Sequence, residues 1–226
     1  MSKPSIDFST LLAVSVHDMK NSLGLLVQQL EDVSHKVVDT DTQQELAHMH
    51  YEAQRINTNL VQLLALYRQQ DLLEIESEQN FLDEVVEELV MNNRFYSKSR
   101  GIDVTVNLPD DLFFFGDRSL ITQVLNDVFI NAMRYTADKL MIEAKRVEDR
   151  GCSITIEDNG PGYPDSLLML NEQQPRYSDM KGSRTGLGLF FAKLIAEAHE
   201  YKGQQGFIKL ENSSSLGGSR FTLYLP

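Results

Sequence analysis

The sequence predicts an α+β protein in which an N-terminal helical hairpin, dimerising into a four-helix bundle, is followed by an α/β sandwich. Three observations support this fold class. Apolar residues in the first third of the chain recur in alternating steps of four and three. The remainder mixes helical and strand periods without a repeating βαβ unit. A short polar connector, residues 75–80, separates the two patterns, so we expect domains over residues 1–75 and 76–226.

Two helices with one apolar stripe each are expected in the first domain. Asp39–Thr42 lies between them and supplies turn and N-cap residues. Because two facing stripes leave apolar surface exposed, two hairpins are expected to form a four-helix bundle. The stripes form heptad-like seams and consist of Leu12, Val16, Met19, Leu23, Leu26, Leu30, Val33 and Val37, then Leu46, Met49, Ala53, Ile56, Leu60, Leu63 and Tyr67.

The second domain is expected to place helices on one face of a mixed sheet. Two of its strands flank a turn at residues 148–151 and predict a β-hairpin. The expected helices are Leu82–Tyr96, Leu120–Tyr135 and Leu187–His199, and the expected strands are Ile102–Leu108, Leu112–Phe115, Leu140–Val147, Cys152–Glu157, Phe207–Leu210 and Arg220–Leu225.

Composition narrows the function classes. The 226 residues carry a formal net charge of −12, which argues against nucleic acid as the main partner. Cys152 is the single cysteine, so an internal disulfide and a zinc site made of cysteines are excluded. No apolar run is long enough to cross a bilayer, and the N-terminus does not have the pattern of a cleavable leader. We therefore expect a soluble, cytoplasmic protein.

His17 on the first helix is a candidate nucleophile. Val16 and Met19 occupy the seam, so His17 is expected to point away from it towards solvent. Asp18 can accept the proton of one ring nitrogen and leave the other nitrogen to attack. Asn21 lies one turn further on the same face, where its amide can hold a water molecule. A solvated polar face has the same pattern, so this segment alone leaves a structural histidine open.

Segments of the second domain suit a nucleoside triphosphate and its magnesium ion. Asn131, on a predicted helix, offers an amide oxygen, a hard ligand suited to Mg²⁺, and Arg134 is placed to reach phosphate oxygens. Asp158 follows a predicted strand and can accept the amino group of adenine, while Gly160 and Gly162 permit close backbone approach.

A third segment, Arg184–Leu189, opens a predicted helix. Its glycines and the free N–H groups of the helix start suit a triphosphate. Each of the three segments alone is equally typical of a turn or a helix cap.

In this order, the four segments resemble the H, N, G1 and G2 boxes of sensor histidine kinases, which share the Bergerat ATP-binding fold. Gly116–Leu125 resembles the lead-in to the N box, and Gly217–Pro226 resembles the closing strand of the family. The resemblance covers nearly the whole chain. It implies a homodimer with a dimerisation and phosphotransfer domain, a catalytic domain that uses ATP and Mg²⁺, and a response-regulator partner whose aspartate takes the phosphoryl group.

The resemblance also implies roles for individual residues. His17 matches the phosphoacceptor, Asp18 its acid/base helper, and Asn21 a position that supports dephosphorylation of the regulator. Asn131 matches the Mg²⁺ ligand and Asp158 the adenine-binding carboxylate. The other implied nucleotide-binding positions are Asp127, Arg134, Tyr135, Gly160, Gly162, Arg184, Thr185, Gly186, Leu187 and Gly188.

Four positions depart from the family pattern. Ser22 stands where a helix-bending proline is usual. Asp127 replaces an asparagine, and two roles stay open for it: a base that activates water, or a helix-surface charge. Arg184 replaces a glycine and either contacts phosphate or caps a lid. The stretch Tyr163–Ser183 lacks the family's phenylalanine-rich box, and its composition fits a mobile lid over ATP.

Other functions remain compatible with the sequence. One alternative is a histidine phosphotransfer or phosphatase protein whose degenerate catalytic domain does not use ATP. Another is a helical adaptor that holds ATP as a structural ligand. Residues 1–7 are too short for a folded sensing domain, so we expect either a truncated chain or a kinase regulated by a separate sensor protein.

Overall fold

The computed structural model of the protein describes residues 8–34, 36–68, 77–147, 151–169, 186–212 and 215–226. The chain divides into two compact units, Met1–Glu74 and Ile75–Pro226. In the described part of the chain, no helix combines the length and the apolar character needed to span a membrane.

The first unit is a pair of packed helices, α1 (Phe8–Ser34) and α2 (Thr40–Arg68). Helix α2 is capped by Asp39, whose Oδ2 accepts hydrogen bonds from the backbone N–H of Thr42 at 2.9 Å and from its hydroxyl at 2.6 Å. Between the helices, Nε2 of the fully buried His50 lies 3.0 Å from Oε1 of Glu31.

The apolar seam predicted for residues 12–37 divides into two rows, and the members of each row recur every seventh residue. Val16 is buried, and Leu23, Leu30 and Val37 are half-buried. The other row, Met19, Leu26 and Val33, is 51%, 44% and 45% exposed. On α2, Met49 and Ile56 of the predicted seam are also exposed, whereas the buried positions include Ala47, Tyr51 and Thr58. Packing within one hairpin therefore uses only part of the apolar surface.

The second unit is built on a five-stranded mixed sheet in the order β2-β4-β5-β9-β8. Only the β2–β4 pair is parallel; the other neighbours are antiparallel. Its strands are β2 (Asp103–Asn107), β4 (Lys139–Val147), β5 (Gly151–Asp158), β8 (Phe207–Asn212) and β9 (Ser219–Leu225). Two short antiparallel pairs join β1 (Glu78–Phe81) to β3 (Phe113–Gly116), and β6 (Glu200–Tyr201) to β7 (Gln204–Gln205).

Helices cover the buried face of this sheet. They are α3 (Leu82–Ser99), α4 (Arg118–Tyr135), the short α5 (Asp165–Leu168) and α6 (Gly186–Ala198). Along β4, Leu140, Ile142 and Ala144 are buried while the residues between them are not, as expected of a strand with one face against a core. Helix α4 contacts α3, α6 and β5, so it lies at the centre of the unit.

Buried His199 ties two of these helices together. Its Nδ1 lies 2.7 Å from the carbonyl oxygen of Ile195 at the end of α6, and its Nε2 accepts a hydrogen bond of 3.0 Å from the backbone N–H of Asp117. The Asp117 side chain caps α4 by accepting from the N–H of Leu120. Since the imidazole bridges the end of α6 and the start of α4, it helps to align both helices.

The predicted helices and strands occur with shifts of a few residues at their ends, and the hairpin of β4 and β5 pairs Val147 with Gly151. The mixed sheet with its helices agrees with the predicted α/β sandwich, whereas assembly into a four-helix bundle stays a prediction. Two features differ from expectation. Glu78–Asn80, read as a connector, forms part of β1, because its backbone pairs with β3. The short β6–β7 pair lacks an alternating apolar signal and was not predicted.

Candidate functional site

Asp158 ends β5 and is held by hydrogen bonds from two segments. It is 2% exposed. Its Oδ1 accepts from the backbone N–H of Gly160 at 2.7 Å and of Ser219 at 3.2 Å, and its Oδ2 accepts from the Ser219 hydroxyl. Charge-assisted bonds from fixed backbone donors orient this carboxylate before any ligand arrives.

The glycine segment after Asp158 packs tightly against the end of α4. A side chain at Gly160 would overlap the carbonyl oxygen of Tyr135, and one at Gly218 would overlap the Asp158 carbonyl. Asn159 reinforces the junction. Its Oδ1 accepts from the Thr136 hydroxyl at 2.7 Å and from the next three backbone N–H groups, those of residues 137–139. Only glycine permits these close approaches of backbone to backbone.

The start of α6 also lies against α4. A Cβ atom at Gly188 would overlap Oδ2 of Asp127. Asp127 is 8% exposed, so the helix-surface reading of this charge is wrong; the carboxylate lies where α4 meets α6. Four residues further along α4, the half-buried Asn131 follows on the same face of the helix.

At the end of α4, Arg134 is half-buried and Tyr135 is 44% exposed. The Arg134 guanidinium lies 5.4 Å from the centre of the Tyr135 ring. At this separation the ring attracts the cation, so the two side chains stabilise each other's position at the end of α4.

Asn212, a residue not predicted to belong to the site, holds the segment after Gly162 through two hydrogen bonds. Gly162 has φ +82°, and a side chain there would overlap the Asn212 amide. Oδ1 of Asn212 accepts from the backbone N–H of Tyr163 at 2.7 Å, and its Nδ2 donates to the Tyr163 carbonyl at 3.3 Å. Burial raises the pKa of the Tyr163 phenol; the Ser219 hydroxyl opposes this shift and the charge of Asp158 adds to it.

Beside Asp158, Glu157 forms a buried ion pair. Glu157 is 1% exposed, and its Oε1 accepts from two nitrogens of the Arg220 guanidinium across the β5–β9 register. Its Oε2 accepts from the Ser215 hydroxyl. The pair joins the strand that carries Asp158 to the strand that starts with Ser219.

Direct contacts in the second unit join two sets of predicted site residues: Gly188 meets Asp127, and Gly160 meets Tyr135 and Asp158. Gly186 and Leu187 begin α6. Arg184, Thr185 and most of the lid expected over Tyr163–Ser183 lie outside the described residues, whereas residues 163–169 include α5.

His17 lies on α1, and its side chain is outside the described part of the structure. Asp18 and Asn21 are exposed on the same helix. Helix α1 runs without interruption from Phe8 to Ser34, and the Ser22 hydroxyl donates to the Asp18 carbonyl at 3.0 Å. A serine keeps the backbone N–H that proline lacks, so the helix continues through this position.

Sequence reasoning gave no role to several residues that build the site: Asn159, Asn212, Gly218, Ser219, Glu157 and Arg220. Asn159 lies directly beside Asp158, and Gly218-Ser219 precedes a strand, so adjacency was the available signal. Asn212 bonds to Tyr163 and Arg220 to Glu157, residues distant in sequence, and no local pattern marks such contacts.

Residues 116–226 match the family model described as histidine kinase-, DNA gyrase B-, and HSP90-like ATPase. The match covers just under half of the chain and includes the segments that resemble the N, G1 and G2 boxes. The sensor histidine kinase CpxA of Escherichia coli (strain K12) is 28% identical over 80% of this chain and 39% of its own length. Relatives with this name confirm the kinase family predicted from the motifs. The chain spans about two fifths of the length of such curated relatives.

Solved structures share the fold of the ATPase domain. The catalytic domain of the histidine kinase ThkA superposes with a TM-score of 0.56 at 24% identity, covering 67% of this chain and 95% of that one. Full-length ShkA, determined in complex with AMPPNP, gives a TM-score of 0.62 at 15% identity, covering 96% of this chain and 45% of that one. These likenesses support the Bergerat-type α/β fold.

Proposed function

We propose that this protein is a histidine kinase that uses ATP with Mg²⁺ to phosphorylate its own His17 and passes the phosphoryl group to an aspartate of a response regulator. The observation that carries the proposal is the oriented, buried carboxylate of Asp158 within an ATPase domain of the histidine kinase-like family. The helical hairpin that bears His17 belongs to the same chain. One chain therefore carries both the domain that would bind ATP and the histidine that would accept its phosphoryl group.

The residues of the ATPase domain fit ATP and Mg²⁺. The Asp158 carboxylate accepts from Gly160 and Ser219 and, with about four lone-pair positions, keeps capacity for the amino group of adenine. Asn131 presents one amide oxygen on α4, and a single protein ligand suits Mg²⁺, which retains water and takes phosphate oxygens. ATP would supply the phosphoryl group, and Mg²⁺ would offset its negative charge.

At the phosphoacceptor, one ring nitrogen of His17 would form the N–P bond while the bond from phosphorus to the ADP oxygen breaks. Asp18 is the next residue on α1, and as a base it would take the proton released from the other ring nitrogen. Asn21, one turn away, would orient a water molecule for a second activity, the removal of the phosphoryl group from the regulator.

Homodimerisation follows from the exposed apolar row of the hairpin. Met19, Leu26 and Val33 on α1, with Met49 and Ile56 on α2, remain exposed at 44–55%. Their seven-residue spacing is typical of a helix seam that packs against further helices. Burying them against a second hairpin would complete a four-helix bundle. We place this activity in the cytoplasm, where ATP is available.

The direct test is incubation of the full chain with labelled ATP and Mg²⁺. Wild type should acquire acid-labile label, as expected for phosphohistidine, and His17→Gln should acquire none. His48→Gln is the matched control, since His48 is an exposed histidine on α2 and should keep wild-type labelling. Acid-stable label, or label that survives His17→Gln, contradicts the proposal.

Nucleotide titration separates the kinase from the alternative that does not use ATP. Asp158→Ala and Asn131→Ala should each abolish labelling while circular dichroism shows a folded protein. Loss of a hydrogen bond to a charged group costs about 1.5–3 kcal/mol, or about 10- to 150-fold in affinity. Unchanged labelling in the Asp158 variant refutes the site, and absence of ATP binding by wild type favours the phosphotransfer or phosphatase alternative.

A further inference from the structure

The dipeptide that follows Asp158, Asn159-Gly160, is the one Asn-Gly sequence in the chain. Asparagine before glycine is especially prone to spontaneous deamidation, because glycine has no side chain to hinder attack by its backbone nitrogen on the asparagine amide. The fold depends on this glycine, since a Cβ atom at residue 160 would overlap the backbone carbonyl of Tyr135. Close packing at the end of α4 therefore keeps a chemically labile pair in the sequence.

Deamidation of this pair follows a defined course. The Gly160 nitrogen loses its proton and forms a bond to Cγ of Asn159, and Nδ2 leaves as ammonia. Water then opens the resulting succinimide ring at either carbonyl, which gives aspartate or isoaspartate. Water is consumed and ammonia is released, so no other reactant is needed. In isoaspartate the main chain runs through the former side-chain carbonyl and is longer by a methylene carbon.

The Asn159 amide is held by the segment that follows α4. Its Oδ1 lies 2.7 Å from the hydroxyl of Thr136, which is 4% exposed, and accepts from the backbone N–H groups of residues 137–139 at 3.0–3.1 Å. Its Nδ2, the leaving group, donates to Oδ1 of Asp138 at 2.7 Å. Closing the succinimide ring requires Cγ to leave the position that these bonds fix. The reaction therefore carries the cost of breaking them.

The attacking nitrogen is restrained as well. The N–H group of Gly160 donates to Oδ1 of Asp158 at 2.7 Å, and Asp158 is 2% exposed. Loss of the amide proton would place negative charge on the nitrogen beside this buried carboxylate. Like charges at such a distance repel strongly where water is scarce. The carboxylate therefore keeps the nitrogen protonated and unreactive.

We propose that Asn159 is a latent deamidation site: its contacts with residues 136–139 suppress the reaction in the folded domain, and local opening of these contacts starts it. Isoaspartate would lengthen the backbone between Asp158 and Gly160, where even an added Cβ atom overlaps Tyr135. The bond from Gly160 to Asp158 would then be lost. Its effect on ATP rests on the proposed function, in which Asp158 binds adenine, whereas the deamidation itself does not.

Deamidation is measured by peptide mass spectrometry after the full chain is incubated at mildly alkaline pH. Asn159 should react about tenfold faster or more in urea than in the folded protein, which corresponds to about 1.4 kcal/mol of opening free energy. Asp138→Ala removes the partner of Nδ2 and should accelerate the reaction about two- to tenfold. Asp110→Ala is the matched control, because Asp110 is also exposed but does not bond to Asn159, and it should react at the wild-type rate.

A second pair of variants tests the other side of the amide. Thr136→Val removes the buried hydroxyl group and should accelerate deamidation, whereas Thr136→Ser keeps that group and should not. Equal rates in folded and unfolded protein, or wild-type rates in both Asp138→Ala and Thr136→Val, overturn the proposal. Equal acceleration in Asp110→Ala and Asp138→Ala also overturns it, since general destabilisation would then explain the rates.

Titration with ATP tests the consequence for the nucleotide site separately. Aged protein should lose ATP binding in proportion to its isoaspartate content, and wild-type affinity in fully modified protein contradicts this consequence. Because peptide mapping needs no ATP, a failure of the deamidation proposal leaves the kinase proposal intact. Fresh, unmodified protein that does not bind ATP refutes only the kinase proposal.

Discussion

Replacing Arg220 with methionine should destabilise the ATPase domain through the buried carboxylate of Glu157. Glu157 is 1% exposed and receives two guanidinium nitrogens of Arg220, whose side chain is itself 31% exposed. Removing one partner of a buried ion pair costs about 3–5 kcal/mol. Since solvent reaches part of the guanidinium, we expect the lower end, about 3 kcal/mol of unfolding free energy.

Urea denaturation followed by circular dichroism measures this loss, and thermal unfolding gives a second value. At roughly 2–4 °C per kcal/mol for a domain of about 150 residues, Arg220→Met should lower Tm by about 6–12 °C. The double variant Glu157→Met/Arg220→Met removes both charges and should recover most of the stability, because paired charges replaced by apolar groups are often neutral in effect.

Arg118→Met provides the surface comparison. Arg118 bridges Glu84 and Glu88 at 3.0 and 3.2 Å, but all three side chains are well exposed. Exposed pairs contribute about 0–1 kcal/mol. A loss in Arg220→Met that is no larger than in Arg118→Met, or a double variant less stable than the single one, refutes the reasoning that burial makes this pair costly to break.

Three further predictions rest on single contacts. Gly188→Ala should reduce ATP affinity in titration, because its Cβ overlaps Oδ2 of Asp127 and must displace that carboxylate; Gly24→Ala, with open space around it, should instead stabilise α1 by about 0.5–1 kcal/mol. Burial lowers the pKa of His199, so the folded domain keeps it neutral; urea midpoints should fall as pH drops below about 6.5, where the unfolded histidine takes a proton, and His199→Asn should flatten this slope. Asn21→Ala should label normally from ATP but slow regulator dephosphorylation; an unchanged rate makes Asn21 a surface residue.

Periodic segments were predictable because a local pattern reports on burial. The alternation in Leu140–Val147 identified β4, and the helical spacing before Tyr135 identified α4. The prediction of a connector over residues 75–80 is wrong for Glu78–Asn80, which forms part of β1. These three residues are polar and give no strand signal, because their strand conformation depends on pairing with β3. The split of the α1 seam was also hidden, since a seven-residue repeat does not tell which row faces the partner helix.

Short motifs predicted that Asp158, Asn131 and the glycines belong to the site, because contacts to phosphate and adenine depend on residue types at close spacing. The sequence left two roles open for Asp127, and only its burial against Gly188 excluded the surface charge. The hydrogen bonds of Ser219 and the pairing of Glu157 with Arg220 could not be predicted, since they join strands about sixty residues apart.

The sequence by itself determined the α+β class, the order of the four family motifs and the likeness of residues 116–226 to the histidine kinase-like ATPases, because each depends on residue type and local spacing. The tertiary structure alone decided which atoms hold the Asp158 carboxylate and that a side chain at residue 188 would meet Asp127. It also decided that the Asn159 amide is held by residues 136–139. Those contacts arise from strand register and helix packing, which bring distant segments together and have no counterpart in local sequence.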